Sequence, residues 1–107
     1  MSQIIKGTFS SGASVGVGQT SAELMIPSGV TTARLTLPNN SLSVIDASNT
    51  VKTQKSTNGG QTWADQTTYN SAQSNVAVTV AHGEVWRLVS VAQEAFKSMS
   101  YELSVQS

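Results

Sequence analysis

His82 is the only histidine in the chain, so acid–base or triad chemistry near neutral pH has to pass through it. It stands in Ala81-His82-Gly83-Glu84, a turn-like stretch where a polar residue able to take positive φ is expected without any catalytic duty. Serines are abundant, and Ser14 in Gly12-Ala13-Ser14-Val15-Gly16 has Gly-x-Ser-x-Gly spacing, but a nucleophile elbow needs a sharp strand-to-helix turn and no helical pattern follows it. The carboxylates Glu23, Asp46, Asp65, Glu84, Glu94 and Glu102 are scattered, with no Asp-x-Asn-x-Asp-Gly loop for calcium and no histidine pair for zinc. There is no cysteine, which removes thiolate chemistry, disulfides and cysteine-based zinc sites. The glycines at 12, 16 and 18 have the look of a phosphate-cradling loop, but such a loop leaves a strand and opens a helix, and no helical periodicity follows. The residues therefore predict no catalytic group, no metal, no cofactor and no enzymatic activity.

Aromatic side chains are the other source of specific chemistry, since sugar rings stack on exposed Trp and Tyr. The chain has Phe9, Trp63, Tyr69, Trp86, Phe96 and Tyr101. Trp63 is accounted for by its place in a hairpin, and Tyr101 by its alternation with Leu103. Tyr69 and Trp86 are left as candidate ligand-stacking residues for a carbohydrate- or receptor-binding reading.

Charge narrows the partners. Six basic and six acidic residues cancel, and no basic cluster exists, so nucleic-acid binding is not expected. Ser, Thr, Asn and Gln make up 43 of the 107 residues while charged residues are only 11%, which gives a polar but weakly charged surface. Near-zero net charge offers little protection against association, as suits a subunit that packs against copies or partners. No apolar run is long enough for a membrane span, and the N-terminus lacks a signal-peptide pattern, so synthesis and folding in a cytoplasm are expected.

These side chains must be positioned by strands, because period-2 alternation recurs along the chain and helical periodicity does not. Strands are expected over residues 3–9, 22–26, 30–37, 42–45, in two runs flanking 58–60 within 50–69, and over 76–80, 85–91 and 98–105, with 15–18 as an irregular edge. Pro27-Ser28-Gly29, Pro38-Asn39-Asn40, Asn58-Gly59-Gly60 and His82-Gly83 punctuate them. Residues 93–95 fit either a helical turn or a hairpin loop. The fold class is all-β: one antiparallel β-sandwich of eight or nine short strands, Ig-like or jelly-roll, filling residues 1–107 as a single domain.

One strand is apolar on both faces. Trp86 and Leu88 alternate on one side of residues 85–91, while Val85, Val89 and Val91 flank Arg87 on the other. A sandwich strand needs only one buried face. Either loops fold over the second face or another chain covers it, which makes Val85, Arg87, Val89 and Val91 the candidate interface.

The chain turns about Ser56-Thr57-Asn58-Gly59-Gly60-Gln61-Thr62-Trp63. Asn-Gly is the strongest short-range hairpin signal, since both central residues of a tight hairpin turn need φ > 0. The eight residues resemble the Asp-box hairpin, Ser-x-Asp-x-Gly-x-Thr-Trp, of sialidases and other repeat propellers, with Ser56, Gly60, Thr62 and Trp63 matching and Asn58 in the Asp place. In those proteins the hairpin is a folding device, so the resemblance implies structure and not chemistry. A propeller is excluded by length, and sialidase chemistry by a chain whose only arginines are Arg34 and Arg87.

The hairpin together with Gly83-Glu84-Val85-Trp86-Arg87-Leu88 and the Ser-alternating residues 97–107 also resembles the small β-sandwich subunits of tailed-phage virions. These are capsid decoration proteins, head fibres and tail or neck accessory proteins. That resemblance implies a virion structural protein, a homo-oligomer such as a trimer, bound to other virion proteins of the capsid or tail by repeated weak contacts.

Overall fold

The computed structural model of the protein describes residues 2–13 and 18–106, and the expected edge segment at 15–18 therefore lies, apart from Gly18, outside the described residues. Among the described residues eight strands follow one another: β1 (Ser2–Ser10), β2 (Leu24–Met25), β3 (Thr32–Leu37), β4 (Thr50–Ser56), β5 (Ala64–Tyr69), β6 (Gln73–Thr79), β7 (Val85–Ala92) and β8 (Ser98–Gln106). They form two four-stranded antiparallel sheets, β1-β8-β3-β6 and β2-β7-β4-β5.

That order decides between the two sandwich topologies. β4 pairs with β5, β3 with β6, β2 with β7 and β1 with β8, all antiparallel. The chain is thus folded back on itself at the β4–β5 turn, and the resulting long hairpin is rolled up so that alternate pairs fall in alternate sheets. This is a jelly roll. Its midpoint is the Gly59-Gly60 turn, one residue later than the Asn58-Gly59 pair the sequence points to.

The core lies where the alternation puts it. Ala33, Leu35 and Leu37 of β3, and Met99, Tyr101, Leu103 and Val105 of β8, face inward and are buried. Trp86 and Leu88 of β7 and Val51 of β4 meet them from the other sheet, with Phe9, Ile26, Val30, Ile45 and Val80 closing the ends. A fully buried side chain of this kind contributes about 1.5–3 kcal/mol. Gly7 stands opposite Tyr101 in the β1–β8 register, and the ring lies across it. A Cβ at position 7 would come within 2.6 Å of the tyrosine Oη and 3.0 Å of its Cζ.

Two expected strands shrink or vanish. Residues 42–45 are not a strand: Asn40 Oδ1 accepts the Leu42 N–H at 2.8 Å, an Asx-type turn that throws Leu42 outward at 79% exposure. Only Leu24–Met25 of the 22–26 run are in strand conformation, because the Ser21 hydroxyl, where a backbone carbonyl would stand, accepts the Leu88 N–H at 2.8 Å. Residues 93–95 form no helix; a turn at 95–96 follows β7.

Candidate interaction surface

Each predicted residue has a definite place. The β4–β5 hairpin is closed by its own side chains. Ser56, 1% exposed, accepts the N–H groups of Gly60 (2.8 Å) and Asn58 (3.3 Å) and donates its hydroxyl to Asn58 Oδ1 at 2.7 Å. Asn58 Oδ1 also accepts the Thr62 N–H at 3.0 Å, and Asn58 Nδ2 donates to Thr62 Oγ1 at 2.7 Å. An amide here supplies a donor that a carboxylate lacks, so the asparagine serves the turn fully. Gly59 and Gly60 take φ of 75° and 93°. The Trp63 indole N–H closes the turn on the Gly60 carbonyl at 3.1 Å.

This hairpin also covers the second face of β7 at Arg87. The Arg87 guanidinium lies 4.0 Å from the centre of the Trp63 ring, and its Nε donates to Gln54 Oε1 at 2.9 Å. Gln54 donates onward to Asp65, which also takes an ion pair from Lys52 at 3.1 Å. The Gln54 amide, and then the Lys52 ammonium, hold the Asp65 carboxyl below its ordinary range. The hairpin tip reaches the side of β2, where a Cβ on Gly60 would meet Glu23 Oε1 at 3.4 Å. Since β7 lies between β2 and β4, the tip crosses over it.

The candidate interface is corrected accordingly. Val85 and Val89 are 3% and 7% exposed within the chain itself, Arg87 is stacked under Trp63, and Val91 alone is left open at 39%. Sequence alternation showed a second apolar face but could not show that the chain buries most of it itself, with the central hairpin stacked on Arg87.

The ligand-stacking pair does not survive as a pair. Trp86 is 3% exposed, and its indole N–H donates to Glu84 Oε1 at 3.0 Å, so neither ring face is free for a sugar. Tyr69 is half-buried and packs against the core. Glu84 Oε1 also accepts the Ala81 N–H at 2.8 Å, and its Oε2 meets Lys55 at 3.1 Å. Burial raises the Glu84 carboxyl, but the Trp86 indole, Lys55 and Ala81 more than offset it, and the net shift is downward.

His82 is exposed in the β6–β7 turn, beside Gly83 at φ 88°. Among the described residues, no hydrogen bond joins it to a carboxylate or a serine, and it lines none of the three surface depressions, of about 310, 170 and 270 Å³.

The feature that sequence reasoning missed lies at the end of the sandwich where β7 meets β8. Leu42 (79% exposed) and Phe96 (76% exposed) flank the depression of about 270 Å³, which is floored by Ser43, Val44 and Ser98. Phe96 has φ 58°, a left-handed conformation rare for a bulky residue. Its N–H is nevertheless held by the Gly12 carbonyl at 3.0 Å, and Val44 N–H by the Ser98 carbonyl at 2.9 Å, so the rim is fixed. No signal in the sequence marks Phe96, because strain and exposure are both set by loop packing. The chain matches no protein-family model, no curated protein and no solved structure.

Proposed function

We propose that the protein is a non-enzymatic structural subunit of a virion. In this reading it is a capsid decoration or head–tail accessory protein that assembles with copies of itself and with other virion proteins. The observation that carries the reading is Phe96: a large apolar side chain held in a costly backbone conformation, three-quarters exposed beside an equally exposed Leu42. Strained, exposed residues persist where something other than the fold selects them, and paired apolar side chains on a fixed rim suit a protein contact. The weakly charged, hydroxyl- and amide-rich surface agrees with attachment by many modest contacts. Jelly rolls also serve capsids and lectins alike, which is analogy at the level of fold. The carbohydrate-binding reading has lost its best platform with the burial of Trp86.

Mass spectrometry of purified particles from cells carrying the encoding genome tests the proposal. The chain should be present in many copies per particle, and Leu42→Ser with Phe96→Ser should strip it from the particles without unfolding it. Particles that lack the chain altogether would sink the reading.

A further inference from the structure

Edge strands expose a row of unpaired backbone N–H and C=O groups, and folded proteins blunt them by shortness, bulges or charges. Three of the four edges here are blunted. β2 is two residues long. β5 carries a bulge, three residue steps from Asp65 to Thr68 against two from Lys52 to Gln54, with the Lys52–Asp65 ion pair on it. β6 carries another, opposite Leu35–Leu37, with Asn75 at φ 53°. β1 has none of these. It runs nine residues in unbroken register with β8, holds no proline and a single charge, Lys6, and presents Ile4 at 53% exposure. Among the described residues, the side-chain hydrogen bonds to its backbone lie at its far end, where Gln93 donates to the Phe9 carbonyl at 2.9 Å and Gln19 to the Ser10 carbonyl at 3.1 Å.

We propose that two copies of this chain pair antiparallel along the β1 edge, across a two-fold axis at Ile4, merging two β1-β8-β3-β6 sheets into one of eight strands. The inference rests on the assembly reading above and names its surface. A strand meeting its own copy about a two-fold axis is self-complementary in its backbone groups. Charge selects the register. An axis at Lys6 would oppose two ammonium groups, and one at Ile5 would set Lys6 against the exposed Ile4. The axis at Ile4 joins the two Ile4 side chains and sends each Lys6 to opposite ends of the paired stretch. A net charge of zero adds no repulsion between copies.

The cysteine-free chain makes the test direct. Opposed residues in an antiparallel pair stand roughly 4.5–5.5 Å apart between Cα atoms, within disulfide reach. Ile4→Cys should cross-link to a dimer under mild oxidation, whereas His82→Cys, in the exposed β6–β7 turn, should not. Ile4→Lys should weaken the dimer at least tenfold by sedimentation equilibrium, with Trp86 emission unchanged as the check on folding. Both results are required. An oligomer that resists Ile4→Lys or fails to cross-link through Ile4→Cys overturns β1 pairing and leaves the assembly reading standing. A wild-type chain that sediments as a monomer at every concentration overturns both.

Discussion

Phe96 sets two quantities against each other. Its left-handed backbone costs about 1–2 kcal/mol for a residue with a Cβ, while a side chain 76% exposed recovers little by burial. Glycine at this position removes the strain but adds freedom to the unfolded chain, which returns part of the gain. Phe96→Gly is therefore expected to stabilise the domain by about 0.5–1 kcal/mol, read as a higher urea midpoint at unchanged m-value, while weakening attachment to particles. A lower midpoint would mean that the ring serves the fold, and the contact argument would lose its premise. Glu84 makes a residue-scale prediction of a different kind. Its carboxyl lies below the ordinary range because the Trp86 indole, Lys55 and Ala81 N–H outweigh the upward push of burial. A carboxyl depressed on folding stabilises the native state above its unfolded pKa, and that contribution disappears as pH falls through the folded pKa. The urea midpoint should be level down to about pH 5 and decline below about pH 4.3. Glu84→Gln should shallow that decline. Asp46 and Asp65, held low chiefly by Asn49 and Gln54, add the same sign but are solvent-exposed and contribute less.

At the scale of elements, legibility followed burial. β8 was readable in full because Met99, Tyr101, Leu103 and Val105 alternate with serines and a glutamate, and the structure buries all four. β3 and β4 were readable for similar reasons of alternation, whereas β5, exposed along nearly its whole length, was readable from the turn chemistry before it and not from burial. Residues 42–45 look like a strand by hydropathy, but a hydrogen bond from the Leu42 N–H to the Asn40 side-chain oxygen competes locally and wins. β7 read correctly as apolar on both faces, yet what covers its outer face is a tertiary fact, the reach of the Trp63 hairpin across to Glu23. The Gly7–Tyr101 contact is equally invisible in sequence: alternation turns Tyr101 inward but does not say that its ring lies over a glycine on the neighbouring strand. Gly7→Val would force that ring out of place, since a Cβ there starts 2.6 Å from Oη. The expected cost is about 1–3 kcal/mol, measured by urea unfolding and accompanied by a change in near-ultraviolet tyrosine dichroism. An unchanged spectrum at full stability would show that the ring swings aside freely.

For the whole molecule, the midpoint was written in the sequence and the roll was not. Asn58-Gly59-Gly60 marks where the chain doubles back, although the positive φ falls at Gly59 and Gly60 and not at Asn58, whose side chain instead braces the turn. The pairing of β1 with β8 depends on residues at opposite ends of the chain and has no local signal. That asymmetry has a kinetic consequence. Long-range antiparallel pairings must close large loops before they are rewarded, so a jelly roll folds slowly, in milliseconds to seconds. The β4–β5 pair closes the smallest loop of the nested set, and each further pair, β3–β6 and β2–β7 to β1–β8, closes a larger one. The central hairpin should accordingly be formed in the transition state and the outermost pair only afterwards. Ser56→Ala deprives the Asn58 and Gly60 N–H groups of their acceptor, at about 1–3 kcal/mol, and should act mainly by slowing folding. Gly7→Val, at the β1–β8 pair, should leave the folding rate nearly unchanged and speed unfolding. Stopped-flow chevrons of the two variants separate these limbs. The reverse pattern, with Gly7→Val slowing folding and Ser56→Ala speeding unfolding, would mean that the chain docks its two ends first and completes its turn last.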